Sequence, residues 1–203
     1  MSPQSEHIHP IFDRALDRAS KEKLLHQRGC VLWLYGLSGA GKSTLAAALE
    51  RKLHASGIMT QLLDGDNIRT GLNNNLGFSD EDRLENIRRI AEVARLFAQA
   101  GIITIASFIT PRRALRTMAR EIIGSEDFSE IFVTCSFATC EQRDVKGLYA
   151  KANAGVIKDF TGRDSAFEPP DKKIPADLVL DTDQKNETQC LEELFTFVSQ
   201  GIK

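Results

Sequence analysis

At 203 residues with a formal net charge of −2, the chain can bury one sizeable core, and it is too weakly charged for a general nucleic-acid or membrane-surface binder. Its apolar runs fall well short of the roughly 18 residues of a membrane span; 102-IITIASFI-109 has the length of a buried strand. The opening 1-MSPQSEHIHPIFDRALDRASKEK-23 joins no basic region to an apolar one, so no secretory leader is expected.

Residues 1–26 read as an N-terminal arm ahead of a single domain over 27–203. Short apolar runs at 31–35, 60–64, 102–108, 131–135 and 178–181 are the predicted strands. Between and after them, amphipathic patterns predict helices over roughly 43–56, 79–100, 112–123, 139–153 and 186–200, several closed by a glycine. Alternation of β and α with near-continuous apolar strands implies an α/β fold, a parallel sheet covered by helices on both faces. Ligands of such sheets bind beyond the carboxyl ends of the strands. Cys30, Cys135, Cys140 and Cys190 lack CxxC or metal-type spacing and read as free thiols of a reducing, cytoplasmic compartment. His7, His9, His26 and His54 form no cluster and read as surface residues.

The stretch 36-GLSGAGKST-44 lies between the first strand and the first of these helices and fits G-x-x-x-x-G-K-[ST], a P-loop. Glycines let backbone N–H groups turn toward phosphate oxygens, and the helix N-terminus adds a favourable dipole. Gly36, Leu37, Ser38, Gly39, Ala40, Gly41, Lys42, Ser43 and Thr44 are therefore the expected nucleoside-triphosphate-binding stretch. Lys42 would meet the β/γ-phosphates and Ser43 would ligate Mg²⁺. No N-K-x-D-like guanine reader follows, and the third strand runs into basic 108-FITPRR-113 rather than a Walker-B aspartate. A kinase acting on a small acceptor is the reading that remains.

Such a kinase needs an acceptor pocket. In 62-LLDGDNIR-69, Asp64 and Asp66 stand just past a strand end; one carboxylate can orient Mg²⁺-bound water and the other can take a proton from a hydroxyl. A D-G-D turn without chemistry is the plain alternative. In 79-SDEDRLENIRRIAEVARLFAQAG-101, Ser79 and Asp82 predict a capped helix start. At about 100° per residue, Leu84, Ile87, Ile90, Ala91, Ala94, Phe97 and Ala98 share the apolar arc. Arg83 falls inside that arc with Asn86 at its margin, whereas Arg88 and Arg95 belong to the solvated face. An inward arginine calls for an anion, so Arg83 and Arg69 are expected to clamp an anionic acceptor. Phe78 is either a hydrophobic staple or half of a base site. Phe160, in polar, Gly-flanked 158-KDFTG-162, is expected to be the other half rather than a core residue. The basic, glycine-punctuated segment over about 141–171, with Arg143, Lys146, Lys151 and Lys158, reads as a lid or, more plainly, a polar connection.

Together, RGCVLWLYGLSGAGKST, LLDGDNIRTGLN, LGFSDEDRLENIRRIAEVA, SFITP, RDVKGLYAKA and KDFTG resemble the adenylyl-sulfate kinase (APS kinase) family over about 27–170. The resemblance implies a P-loop kinase domain that transfers the γ-phosphoryl group of ATP to the 3′-hydroxyl of adenylyl sulfate, giving PAPS and ADP. It implies acceptor binding by Asp66, Asn67, Arg69, Phe78, Arg83, Asn86, Ile109, Thr110, Lys146 and Phe160, with the two phenylalanines around the adenine and Arg143 beside the ATP base. Asp66 would contact the attacking hydroxyl and Lys42 the transferred phosphate, with Mg²⁺ held by Ser43 and Asp64. Where the family commonly has Ser-Pro, with the serine implied as a phosphorylated intermediate, this chain has Thr110-Pro111. Thr110 keeps the hydroxyl and stays among the catalytic residues, although direct in-line transfer with Thr110 as a polar liner is preferred. Arg112 replaces the family's aromatic, and 162-GRDSA-166 stands for Gly-Ile-Asp-Ser-Pro. The expected partners are ATP, adenylyl sulfate and a second copy in a homodimer, with no nucleic acid and no membrane. From the residues alone, a kinase of a nucleoside monophosphate or sugar acid, or a non-catalytic nucleotide sensor, stays open.

Overall fold

The computed structural model describes residues 9–11, 13–144, 146–156, 160–163 and 165–201. Five strands form one parallel sheet in the order β2-β3-β1-β4-β5: β1 Cys30–Tyr35, β2 Thr60–Asp64, β3 Ile103–Ser107, β4 Phe128–Thr134 and β5 Leu178–Asp181. Each strand lies within three residues of its sequence expectation. The central strand β1 is buried throughout, and its alternation divides the core in two. Cys30, Leu32 and Leu34 join the layer containing α2 Lys42–Ala55 and α8 Glu187–Gly201, while Val31, Trp33 and Tyr35 join the layer of α4 Asp80–Gln99 and α5 Arg113–Ile123.

On α4 the buried face is Asn86, Ile87, Ile90, Ala91, Ala94 and Ala98, close to the expected arc. Leu84 departs from it, being 48% exposed at the rim of a surface cavity. Ser79 Oγ accepts from Asp82 N at 3.1 Å, the cap its sequence signals. Arg88 and Arg95 pair with Glu85 and Glu92 on the solvated face.

Three local features differ from the sequence reading. The single helix expected over 139–153 is two, α6 Phe137–Arg143 and α7 Leu148–Asn153. Asp144 breaks it: its carboxylate accepts from Tyr149 N and Ala150 N, both at 3.0 Å, and Gly147 takes a left-handed φ of 63°. The short α3 Gly65–Arg69 starts immediately after β2, capped by Asp64, whose side chain accepts from Asp66 N. Ahead of β1, α1 Arg18–Leu25 is capped by Asp17 and fastened by Arg18, which donates to Asp127 and to Gly29 O. None of the described helices is long and apolar enough to cross a membrane.

Candidate active site

All five strands run the same way, so their carboxyl ends bring five loops to one edge. β1 ends at Tyr35, and the next residues must reverse direction against β4. Gly36 makes this possible: a Cβ there would lie 2.2 Å from Val133 O. Gly41, at φ 96°, starts α2 from a conformation that favours glycine. Between them the loop is fastened from outside. Tyr149 Oη donates to Ser38 O at 2.8 Å, and Thr182 Oγ1 donates to Ala40 O at 3.0 Å. Arg143 donates to Gly39 O at 3.3 Å and to Thr182 O at 2.7 Å, so the arginine expected beside the ATP base straps this loop to the end of β5.

Lys42 is only 8% exposed and its Nζ donates to Leu37 O at 2.7 Å, a neutral carbonyl. Burial, then the charge of Lys146, pulls its pKa down to about 8. A buried ammonium held this way is well suited to a negative ligand. Ser43 and Thr44 are exposed at the mouth of the loop. Ser43 Oγ donates to Asp64 Oδ2 at 2.7 Å and lies 3.4 Å from Ser107 Oγ, so the ends of β2 and β3 meet the loop here. Hydroxyl and carboxylate oxygens in this arrangement suit a hard cation that keeps most of its water. Two residues beyond Asp64, the Asp66 carboxylate pairs with Lys146, both largely exposed. Asn67 is exposed on α3, its carbonyl accepting from Thr70.

The arginines lie further along the same edge. Arg69 donates from Nη1 to Leu76 O and Gly77 O, both at 3.0 Å, and its guanidinium stacks 4.4 Å over the Phe78 ring. Burial first and the neighbouring Arg83 second push Arg69 below its ordinary pKa. Two guanidinium groups brought that close repel each other, and an anion between them would relieve this. Phe78 is 64% exposed, so it is no buried staple. Arg83 donates to Phe78 O at 2.8 Å and to Thr161 Oγ1 at 2.9 Å, joining the two segments that carry the phenylalanines. Phe160 corrects the expectation that it would stay out of the core: it is 8% exposed, with its ring edge-on to Tyr149 at 4.8 Å. Gly162, two residues on, lets the phosphate loop approach closely, since a Cβ there would lie 2.9 Å from Leu37 Cδ2.

Asn86 is buried, and its Oδ1 accepts from Asn73 Nδ2 at 3.0 Å. Ile109 is half-buried, and its carbonyl accepts from Gly36 N at 3.3 Å, linking the loop after β3 to the phosphate loop. Thr110 is 2% exposed, and its φ of 39° is unusual for a β-branched residue. Its Oγ1 accepts from Trp33 Nε1 at 3.0 Å, so the hydroxyl is engaged by the core. Arg112 donates to Asp80 Oδ2 at 2.7 Å across a cavity of about 270 Å³ walled by Arg83, Leu84, Pro111, Leu115 and Ala166. Of the basic lid residues, Lys151 is exposed on α7 and Lys158 lies outside the described residues.

Sequence reasoning missed Thr182, Tyr149, Ser107 and Asn73. Thr182 and Ser107 carried a usable signal, since each lies at the carboxyl end of a strand. Tyr149 and Asn73 carried none, because their roles arise from tertiary packing.

Comparison with known proteins covers most of the chain. The family model for adenylylsulphate kinase matches residues 28–181. The adenylyl-sulfate kinase of Phocaeicola vulgatus is 58% identical over 195 residues, 96% of this chain and 94% of the relative. That of Bacteroides fragilis is 57% identical over 195 residues, 96% and 95% of the two chains. Among solved structures, the Mycobacterium tuberculosis APS kinase in complex with AMPPNP and APS is 43% identical with a TM-score of 0.80, covering 85% of this chain and 98% of its own. A gluconokinase from Sinorhizobium meliloti, 17% identical with a TM-score of 0.55, shares the fold alone. The phosphate loop on a parallel sheet and the extent of these matches lead to one assignment: this chain belongs to the adenylyl-sulfate kinase family.

Proposed function

We propose that this chain transfers the γ-phosphoryl group of ATP to the 3′-hydroxyl of adenylyl sulfate, releasing ADP and PAPS. The observation that carries this reading is the sharing of one sheet edge by two cationic sites. Ser43, next to Lys42 in the phosphate loop, reaches Asp64 at the carboxyl end of β2, and Arg69, Phe78 and Arg83 gather just beyond it. The first site suits ATP. The second offers paired guanidinium groups beside an exposed ring, which suits an anionic nucleotide. The Mycobacterium tuberculosis relative, solved with AMPPNP and APS, supports the same pairing.

In this reading, main-chain amides of 36–44 and Lys42 hold the β/γ-phosphates. Ser43 and Asp64 would hold Mg²⁺, which neutralises charge on the phosphate oxygens when bound. Arg69, Arg83 and Asn86 orient adenylyl sulfate, with Asn67 and Ile109 lining its site. Asn73 donates to Asn86 Oδ1, which leaves the Asn86 amide N–H₂ to face the acceptor. Arg83, reaching from Phe78 O to Thr161, fixes the separation of the segments that carry Phe78 and Phe160. Asp66 takes the proton of the 3′-hydroxyl as that oxygen forms its bond to the γ-phosphorus and the bond to the β-phosphate oxygen breaks. Lys146, paired with Asp66, keeps the carboxylate at the nucleophile and brings positive charge to the transferring group. Thr110, bonded to Trp33, acts as a polar wall of the pocket in direct in-line transfer. A cytoplasmic homodimer completes the proposal; four free cysteines suit the compartment, and sedimentation equilibrium tests the dimer.

The decisive experiment is a coupled ADP-release assay with adenylyl sulfate, AMP and CMP as acceptors. Turnover is expected with adenylyl sulfate and not with the two monophosphates. Comparable kcat/KM on AMP or CMP would move the chain to another nucleotide kinase activity, and tight ATP binding without turnover on any acceptor would make it a sensor.

A further inference from the structure

The α5 residue Arg116 is 2% exposed and lies outside every motif that points to chemistry. Its Nε donates to Glu130 Oε1 at 2.9 Å, a carboxylate 5% exposed on β4. Neutralising a buried carboxylate would need only that contact. The other two nitrogens go elsewhere: Nη1 donates to Thr110 O at 3.1 Å and Nη2 to Glu168 O at 2.9 Å. The face of the guanidinium lies 4.4 Å from the Tyr35 ring, on the residue immediately before the phosphate loop.

These contacts fall on three parts of the site. Thr110 holds a left-handed φ of 39° before a proline, a conformation that persists only where its surroundings enforce it. Trp33 holds its side chain and Arg116 its carbonyl. Glu168 belongs to the segment that returns from the lid to β5, and its N–H donates to Pro111 O at 2.8 Å. The preceding Phe167 lies on the rings of Tyr35 and Phe132, with centroids 6.3 and 5.9 Å away. One planar cation therefore joins the acceptor loop, the lid return and the root of the phosphate loop.

We propose that Arg116, held in orientation by Glu130, is a positioning residue that clasps the Thr110 carbonyl to the Glu168 carbonyl and thereby sets the acceptor side of the site. The proposal rests on the kinase reading above for its substrate and on the clasp geometry for its residue. Lysine separates the two possible roles of this arginine. It can neutralise Glu130, yet it lacks the planar fork that reaches both carbonyls at once.

The test compares the native chain with Arg116→Met and Arg116→Lys. Arg116→Lys is expected to restore much of the thermal stability lost in Arg116→Met. Its kcat/KM for adenylyl sulfate should nonetheless stay about tenfold or more below native, because misplacement of the acceptor slows transfer steeply. Its KM for ATP should remain within about twofold of native. In the ligand-free proteins, the Glu168 amide should exchange hydrogen several-fold faster in Arg116→Lys than in the native chain. The clasp is overturned if lysine restores both acceptor kinetics and Glu168 protection, or if ATP and acceptor KM rise together. Should the native chain instead prefer AMP, the adenylyl-sulfate reading fails by itself, and the clasp is judged by the same ratios on that acceptor and by the exchange data.

Discussion

ATP affinity should weaken above pH 8, and Lys42 sets the midpoint. Burial, reinforced by Lys146, lowers the Lys42 ammonium to about 8 in the ligand-free chain. A bound triphosphate supplies opposing charge and returns this pKa well above the working range, so the protonated loop is the form that binds. At pH 7 about nine in ten ligand-free molecules carry the proton; at pH 9 about one in eleven does, so the apparent Kd rises roughly tenfold between the two. Binding must also take up protons, about half a proton per ATP at pH 8 and about nine-tenths at pH 9. The second ionisation of phosphate, near 6, is complete at these pH values and contributes little. Calorimetric titration with a non-hydrolysable ATP analogue, in two buffers of different ionisation heat, counts these protons directly. Identical heats in both buffers at pH 8 to 9, or an uptake that persists in Lys42→Met, would refute the assignment of the proton to Lys42.

Three further outcomes follow from the same geometry. Lys42→Met should abolish turnover and make the ligand-free fold more stable at pH 7, by about 1–3 kcal/mol in urea melts. The sign comes from the lowered folded pKa: the native protein sheds this proton near pH 8 and the unfolded chain near 10.5, so stability from the native lysine is withheld below 8 and gained as pH rises through that window. Asp66→Asn should lower kcat by roughly 10²–10⁴-fold with acceptor Kd changed far less, read from single-turnover rates beside equilibrium binding; a native rate would remove Asp66 as the base. Thr110→Val leaves Trp33 Nε1 without its acceptor and should destabilise the fold by about 1–3 kcal/mol, with Thr110→Ser restoring it; complete loss of turnover in a folded Thr110→Val protein would contradict its role as a wall of the pocket.

Much of this architecture was legible because its signals are local. The continuous apolar run of β1, the glycine-rich loop, the Ser79 cap and the apolar arc of α4 are each written within a few neighbouring residues. The break between α6 and α7 was missed because it depends on Asp144 folding back onto Tyr149 N and Ala150 N, a competition that composition alone does not decide. Phe160 was misjudged for a related reason: its polar neighbours describe the chain around it and say nothing of Tyr149, which covers its ring. Arg83 was picked out by its place in the apolar arc, yet its reach to Thr161 spans 78 positions of sequence and no periodicity encodes it. Arg116 carried no signal at all, since its four contacts come from four separate segments.

Among the described residues, Lys42 and Arg116 are the two buried cations, and the fold treats them in opposite ways. Arg116 is matched by a buried carboxylate and uses its remaining donors on main-chain carbonyls. Lys42 donates to a single neutral carbonyl, and its lowered pKa reports the strain of holding that charge. A buried cation whose charge is already balanced has its interaction energy committed within the fold, and it can only hold shape. One whose charge is unbalanced gains most when an anion arrives, so its desolvation in the free protein becomes affinity and orientation in the complex. By that criterion the geometry separates the residue that meets phosphate from the residue that arranges the pocket around it. It also explains why the two should fail differently: removing Lys42 strengthens the fold and ends catalysis, whereas removing Arg116 weakens the fold and misplaces the acceptor.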